Sequence, residues 1–259
     1  MRFWRQEITK LVQADKVKDA IALARALAKK QDANNVATLL IELGIVLGKQ
    51  KSLHDDALSL FEAASCIATK KTCKEYANYN ASVALTIIGD LLGKEGQLKE
   101  AERALQKALN LTPPFSLAHQ KYGLCLHLLK KKKKAEYHFK QALKLDPKNA
   151  QTHALYAKLL SESPKKLAEV IAHLEQAVSL EPDNSALHAL FGMVLSENQF
   201  YDKAESEFEK AIDLQEDNLA AHYYYGILLV EHLRFSEAEA RFKRVFDVDP
   251  SFQKRALIR

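Results

Sequence analysis

One small residue returns at nearly constant spacing through most of this sequence. It stands within an apolar stretch at Gly89, Gly123, Ala157, Gly192 and Gly226, and the steps between these positions are 34, 34, 35 and 34 residues. Such regular spacing indicates that one structural unit is copied along the chain and that neighbouring copies stack to bury their apolar faces. A fold built by repetition is therefore the first constraint on this protein.

Three further positions follow each small residue in the same order. In the copy that contains Gly192, a second small residue stands at Ala204, a bulky apolar residue at Phe208 and another small residue at Ala211. Small residues let two helix backbones approach closely, and a bulky residue four positions after the second small residue lies on the same helix face and fills the gap. Each copy is therefore predicted to be a pair of antiparallel helices.

A proline ends most of the copies. Proline lacks a backbone N–H and disfavours helix for the residue before it, so the chain turns there into the next pair. These residues are Pro113, Pro147, Pro182 and Pro250, and Glu216 takes the place in the remaining copy. The spacing of all these residues within a 34-residue period resembles the tetratricopeptide repeat (TPR), and the resemblance covers nearly the whole chain. It implies an all-α fold, a right-handed superhelical solenoid of about seven helix hairpins.

The N-terminal part follows the repeat less closely. Gly44 starts a similar motif, but the step from Gly44 to Gly89 is 45 residues, and no proline or loop cluster divides the extra length. We therefore predict irregular or extended hairpins over residues 1–81, with both helices at the 45-residue step lengthened by a turn or more. Five regular repeats are predicted over 82–252, and the start of a capping helix or tail over 253–259.

Composition limits the class of protein. Apolar residues make up 47% of the chain and charged residues 27%, which is ordinary for a soluble domain. No apolar run approaches the roughly 18 residues needed to cross a bilayer. The three cysteines, Cys66, Cys73 and Cys125, form no CxxC motif, which favours a reducing, cytoplasmic location.

No catalytic motif stands out. A glycine-rich phosphate loop, HExxH and GxSxG are all missing from the sequence, so we predict that the chain is not an enzyme and uses no cofactor. Histidines recur four residues before the small residue, at His119, His153, His188 and His222. Equivalent residues of stacked hairpins lie about 10 Å apart, too far to share a zinc ion. We predict that these rings pack between helices and bind no metal.

The resemblance also predicts a groove lined by the first helices of the repeats. Many TPR domains bind chaperone C-termini there through a clamp of Lys, Asn and Arg, and that set is absent here. The predicted groove is mainly apolar or small, which suits a helical or extended peptide segment of a partner protein. Its residues are Val83, Thr86, Asp90, Leu117, Gln120, Leu124, Ala154, Lys158, Ala189, Met193, Tyr223 and Ile227, with the part formed by repeats four to seven expected to hold the partner.

Charge is spread unevenly and leaves two alternatives open. Residues 116–148 carry nine lysines against two acidic residues, whereas 149–259 carry twelve basic against eighteen acidic residues. The basic region includes Lys130, Lys131, Lys132, Lys133 and Lys134, predicted to lie in the turn between two helices. An interaction scaffold is the leading hypothesis. The chain could instead self-assemble by pairing its basic and acidic regions, or bind RNA or an anionic membrane through the lysines, although the absence of interleaved aromatic residues argues against nucleic acid.

Overall fold

The structure is a computed structural model and describes residues 3–29, 32–48, 54–111 and 115–250. Every regular element within these ranges is helical, and consecutive helices pack in pairs. The prediction of an all-α fold made of helix hairpins is confirmed. Pro113 and the predicted C-terminal segment 253–259 lie outside the described residues.

The chain divides into two compact units, Met1–Leu145 and Asp146–Arg259. The described helices of the first unit are α1 (Phe3–Gln13), α2 (Val17–Ala28), α3 (Ala33–Gly48), α4 (His54–Ile67), α5 (Lys71–Lys94), α6 (Leu98–Leu111), α7 (Ser116–Leu128) and α8 (Lys132–Leu145). Those of the second unit are α9 (Ala150–Ser161), α10 (Leu167–Leu180), α11 (Ser185–Glu197), α12 (Tyr201–Leu214), α13 (Leu219–Glu231) and α14 (Phe235–Val248), with a 3₁₀ turn at Pro164–Lys166 between α9 and α10.

The repeated small residue of the first helix lies directly against the bulky residue of the second helix. A Cβ atom built on Gly192 would stand only 2.8 Å from ring atoms of Phe208, and Phe208 is fully buried. Where the small residue is Ala157, the corresponding position on the second helix is occupied by the smaller Leu174, also buried. A leucine partner does not by itself leave room for a Cβ atom, since one built on Gly89 would stand 2.5 Å from Leu105.

Second helices end where the sequence predicts. The helices α8, α10 and α14 stop two residues before Pro147, Pro182 and Pro250, respectively. The helix α12 stops at the same place although Glu216 stands there instead of proline. In the second unit, asparagine side chains then accept backbone N–H groups at the start of the next first helix. These caps are Asn149, Asn184 and Asn218.

A serine hydroxyl joins the two ends of three hairpins, and we call this contact the hairpin clasp. The serine lies at the start of the first helix in α7 and α11 and in the middle of the longer α5. Its hydroxyl donates to a backbone carbonyl 26 residues later, in the last turn of the second helix. The three clasps run from Ser82 to Ala108 (2.8 Å), from Ser116 to Ala142 (3.1 Å) and from Ser185 to Ala211 (2.7 Å).

The predicted lengthening of two helices is wrong for one of them. The helix α4 has 14 residues, the same as α6, while α5 has 24. The predicted boundary between residues 81 and 82 consequently falls inside α5. The helix α4 ends, and α5 begins separately, because the side chain of Asn34, on α3, accepts hydrogen bonds from the backbone N–H groups of Thr69 (3.0 Å) and Lys70 (2.8 Å). This long-range contact leaves no local proline or glycine signal.

Candidate functional site

Four of the twelve predicted groove residues have buried side chains. Thr86 and Gln120 are each 1% exposed, and Ala154 and Ala189 are buried as well. Thr86 donates its hydroxyl to the carbonyl of Ser82, one turn earlier on α5. These four residues pack inside their units and offer no side chain to a partner.

In the second unit, predicted groove residues of α11 and α13 do come together. Met193 and Ile227 are both half-buried and line one cavity of about 260 Å³. The two helices pack against each other, and each residue directly follows the small residue of its helix. The other lining residues are Ser196, Glu197, Gln199, Tyr201, Tyr224 and Glu231. We call this site the α11–α13 cavity.

Tyr223 and Tyr224 have different roles on α13. Tyr224 lines the α11–α13 cavity, whereas the Tyr223 ring packs edge-on against Phe242 of α14 at a centroid distance of 6.0 Å. Tyr223 is half-buried, and its contact with a partner protein remains a prediction.

The sequence interpretation missed two aromatic walls of the cavity. Tyr224 could have been found, because it stands three residues before Ile227 and therefore on the same helix face. Tyr201 begins α12, and its ring packs edge-on against His232 at 4.4 Å. No spacing rule links Tyr201 to α13, so the structure alone brings it to the site.

Predicted groove residues of the first unit present a different surface. On α5 the half-buried Val83 and Asp90 remain accessible, and on α7 the half-buried Leu124 and the exposed Leu117 do so. The Asp90 carboxylate accepts from Lys121 of α7 at 2.9 Å and from Lys94 at 2.8 Å. This polar point of the surface is therefore neutralised from within the chain.

The titration of Asp90 agrees with this pairing. Burial by itself raises the pKa of the Asp90 carboxyl, but the hydrogen bonds and charges of Lys94 and Lys121 outweigh burial and hold the pKa below its usual value. The carboxylate is charged and already balanced, so a cationic ligand would have to displace a lysine to bind it.

The lysine run is exposed throughout, but only part of it lies in a turn. The helix α7 ends at Leu128, and Lys130 has the left-handed φ of 59° that is typical of a residue ending a helix. The prediction that all five lysines lie in the turn is wrong for Lys132, Lys133 and Lys134, which form the first turn of α8. The reason is that α8 must already be helical where Ala135 packs against the first helix. Lys131 pairs with Glu102 at 2.6 Å.

The recurring histidines pack between the two helices of their own hairpins, as predicted. His119 and His153 each place Nδ1 within hydrogen-bond distance of another histidine, His138 at 2.8 Å and His173 at 2.9 Å. His188 instead meets a carboxylate oxygen of Glu207 at 2.6 Å. Within the described ranges, no group of three His, Cys, Asp or Glu residues is arranged to hold a metal ion.

The fourth histidine of this series lacks such a neighbour. His222 donates its Nε2–H to the carbonyl oxygen of Glu216 at 2.8 Å, but its buried Nδ1 has no hydrogen-bond partner among the described residues. The corresponding position of the second helix holds Arg241, which lies over the Tyr225 ring at 4.8 Å.

Comparison with known sequences decides the family. Profiles of the tetratricopeptide repeat match residues 126–190 and, for a second profile, residues 88–150 and 189–246. Together these matches cover more than half of the chain. The chain belongs to the tetratricopeptide repeat family. Stacked repeats of this kind present extended surfaces for other proteins, so this TPR chain has the architecture of a protein-interaction scaffold.

Solved structures of other TPR proteins share the fold. MamA from Desulfovibrio magneticus RS-1 is 20% identical, with a TM-score of 0.56 over 66% of this chain and 96% of that chain. TTC0263 from Thermus thermophilus is 19% identical, with a TM-score of 0.59 over 68% and 96%. YrrB, described as a TPR protein with an unusual peptide-binding site, is 18% identical, with a TM-score of 0.56 over 76% and 95%. At these identities the similarity concerns the fold alone.

One curated relative shares a short stretch with this TPR chain. Protein O-mannosyl-transferase Tmtc2 of Drosophila melanogaster is 44% identical over 75 residues, which are 29% of this chain and 8% of that protein. The chain thus spans a small part of the relative's length, and the match carries no argument about activity. None of the helices in the described ranges combines the length and apolar character needed to cross a membrane.

Proposed function

We propose that this TPR chain is a binding scaffold that holds a peptide segment of a partner protein on the surface formed by α11 and α13. The observation that carries the proposal is the α11–α13 cavity, where Met193, Tyr224 and Ile227 remain partly open to solvent. Large apolar side chains on an open helix face are not needed for folding, and they commonly mark interaction sites.

Two further points support peptide binding at this place. Tyrosine is enriched among residues that dominate binding energy, because it combines a large apolar ring with a polar tip. In addition, one structurally similar protein, YrrB, is described as having an unusual peptide-binding site. The proposed role is one of binding and not of catalysis, and a cytoplasmic location remains a prediction that cell fractionation can check.

The proposal is tested with a random peptide library displayed on phage and selected against the purified full chain. Affinities of the selected peptides are then measured by calorimetry. Tyr224→Ala should weaken binding by about 2 kcal/mol, or roughly thirtyfold, while the melting temperature stays nearly constant. Tyr76→Ala is the matched control, because Tyr76 is an exposed tyrosine of α5. Failure to select any peptide, or equal losses for both variants, would contradict the proposal.

Tyr223 is tested in the same assay. Because its ring contacts Phe242, Tyr223→Ala is expected to lower the melting temperature as well as the affinity. Unchanged affinity in a well-folded Tyr223→Ala variant would restrict the binding surface to the Tyr224 side of α13.

A further inference from the structure

Two carboxylates line the α11–α13 cavity. Glu197 is the last residue of α11 and Glu231 is the last residue of α13. Both side chains are exposed and line the cavity, and no ion pair recorded among the described residues involves either of them. By contrast, Arg234 in the next turn is already engaged by Glu205 and Glu237.

These two positions are electrostatically unfavourable for the folded chain alone. The carbonyl end of a helix carries partial negative charge, so an acidic residue there is destabilising and a basic one stabilising. The last turns of α11 and α13 contain no basic residue. Local choices that oppose stability without visible compensation are expected at functional sites.

The walls of the cavity suit a long side chain with a cationic end. Met193 and Ile227 provide an apolar floor, and Tyr201 and Tyr224 provide rings. Lysine and arginine bury their aliphatic stems along apolar surface while the charged group stays near solvent, and cations are attracted to tyrosine faces. The volume of about 260 Å³ is below the usual range of roughly 300–1,000 Å³ for small-molecule sites, so one side chain is a better fit than a cofactor.

We infer that the α11–α13 cavity is a specificity pocket for a lysine or arginine side chain of the bound segment, which rests on the proposed peptide-binding function. The cation lies between the Glu197 and Glu231 carboxylates, and the stem lies against Met193 and Tyr224. Residues 149–259 carry twelve basic against eighteen acidic residues, so the surrounding field also attracts a basic segment and repels an acidic one.

The preceding first helix shows why this pocket is local. At the position of Met193 and Ile227, α9 carries Lys158, which is exposed. A cation of the chain itself therefore stands where the α11–α13 cavity leaves an apolar floor. The apolar base of the pocket is therefore a feature of α11 and α13 and is not repeated on α9.

The pocket can be probed directly by NMR. The sequence contains only two methionines, Met1 and Met193, so ¹³C-methyl labelling of methionine gives one resonance inside the cavity and one reference. The full chain is titrated with N-acetyl-argininamide and N-acetyl-lysinamide, and with N-acetyl-norleucinamide as the uncharged probe. The Met193 resonance should shift in a saturable way with the two cationic probes, more strongly than with norleucinamide, and the effect should weaken with salt.

The carboxylates are tested by the double variant Glu197→Gln/Glu231→Gln, which should weaken binding of the cationic probes at least about tenfold. Glu175→Gln is the matched control, since Glu175 is an exposed acidic residue of α10 away from the cavity. Equal binding of the uncharged probe, or no loss in the double variant, would overturn the inference.

The outcomes for the pocket and for peptide binding are distinguishable. If the selected peptides depend on Tyr224 but are not enriched in Lys or Arg, the cation pocket is contradicted and the peptide-binding function is supported. Cationic probes that bind while no peptide is selected would support the pocket chemistry and contradict the peptide function. Concentration-dependent light scattering that disappears in the double variant would make a second copy of this chain the source of the basic side chain.

Discussion

At the scale of single residues, the glycines of the first helices leave little room for a methyl group. A Cβ atom on Gly192 would lie 2.8 Å from the Phe208 ring and 3.2 Å from the carbonyl oxygen of Ala204. Because Phe208 is fully buried, Gly192→Ala should destabilise the chain by about 1–3 kcal/mol. Urea unfolding followed by circular dichroism measures this loss.

The chain offers two controls for this substitution. Gly93 is also helical, but a Cβ atom there would meet nothing within 4 Å, so Gly93→Ala should stabilise α5 by about 0.5–1 kcal/mol. Gly89→Ala is the second comparison: a Cβ atom there would stand 2.5 Å from Leu105, so this substitution should also destabilise the chain. Equal stability of the Gly192→Ala and native chains would show that this contact is looser than the structure indicates.

The paired histidines predict a dependence of stability on acidity. Burial, together with the smaller effects of the neighbouring His119 and Lys134, lowers the pKa of His138 to about 4; burial also lowers the pKa of His119. The unfolded chain takes up a proton on His138 near pH 6.5, whereas the folded chain takes it up only near pH 4. The stability linked to His138 is therefore complete above about pH 6.5 and is lost as the pH falls towards 4.

This acid sensitivity can be measured as a difference between variants. His138→Gln should flatten the fall in unfolding free energy between pH 6.5 and 4.5 by about 1 kcal/mol, allowing for partial solvent screening. A steeper profile in the His138 variant would contradict the assigned direction.

At the scale of helices, the first turn of α8 carries charges of the wrong sign for its dipole. Lys133 stands second in α8, and Asp202 stands second in α12 at the same place in its repeat. Since acidic residues stabilise the start of a helix and basic residues do the opposite, Lys133→Asp should stabilise the chain and Asp202→Lys should destabilise it. Each substitution is expected to change the free energy of unfolding by about 0.3–1 kcal/mol at low salt and by less at high salt. Thermal melts measure both changes. If both substitutions changed stability in the same direction, the helix dipole would be excluded as the cause.

The helices also show which features a sequence reveals. The pairing of Gly192 with Phe208 and the stops before Pro147 and Pro182 follow from side-chain volume and a missing N–H, so spacing was enough to predict them. The end of α4 depends on Asn34, which bonds to Thr69 and Lys70 about 35 residues away. No local pattern records such a contact.

The candidate site divides in the same way. The positions of Met193 and Ile227 follow from the repeat register, and the structure brings both to one cavity. The burial of Thr86 and Gln120 could not be predicted, because a spacing rule assigns a residue to a helix face but does not say how deeply other side chains cover that face. Tyr201 reaches the cavity only through the packing of α12.

At the scale of the whole molecule, stability should be distributed rather than uniform. The described helices pack mainly on their neighbours in sequence, and the chain forms two compact units. Stability in such repeat proteins is approximately a sum of repeat and nearest-neighbour contributions. Gly192→Ala should therefore increase backbone hydrogen exchange in residues 146–250 more than in residues 3–111. Hydrogen-exchange mass spectrometry tests this, and equal increases in both ranges would indicate one cooperative unit.

The hairpin clasps limit where insertions and deletions can occur during the evolution of this chain. In each clasp the carbonyl residue stands 26 positions after the serine, so a length change inside that interval breaks the bond, whereas one outside it does not. The extra length of α5 obeys this rule, because α5 begins at Lys71, eleven residues before Ser82, while α7 and α11 begin at Ser116 and Ser185 themselves. The hairpin with one extra residue between Ala157 and Leu174 begins at Ala150, which has no hydroxyl to lose. Natural variants of this chain should therefore differ in length between hairpins, and within a hairpin only where the serine has been replaced.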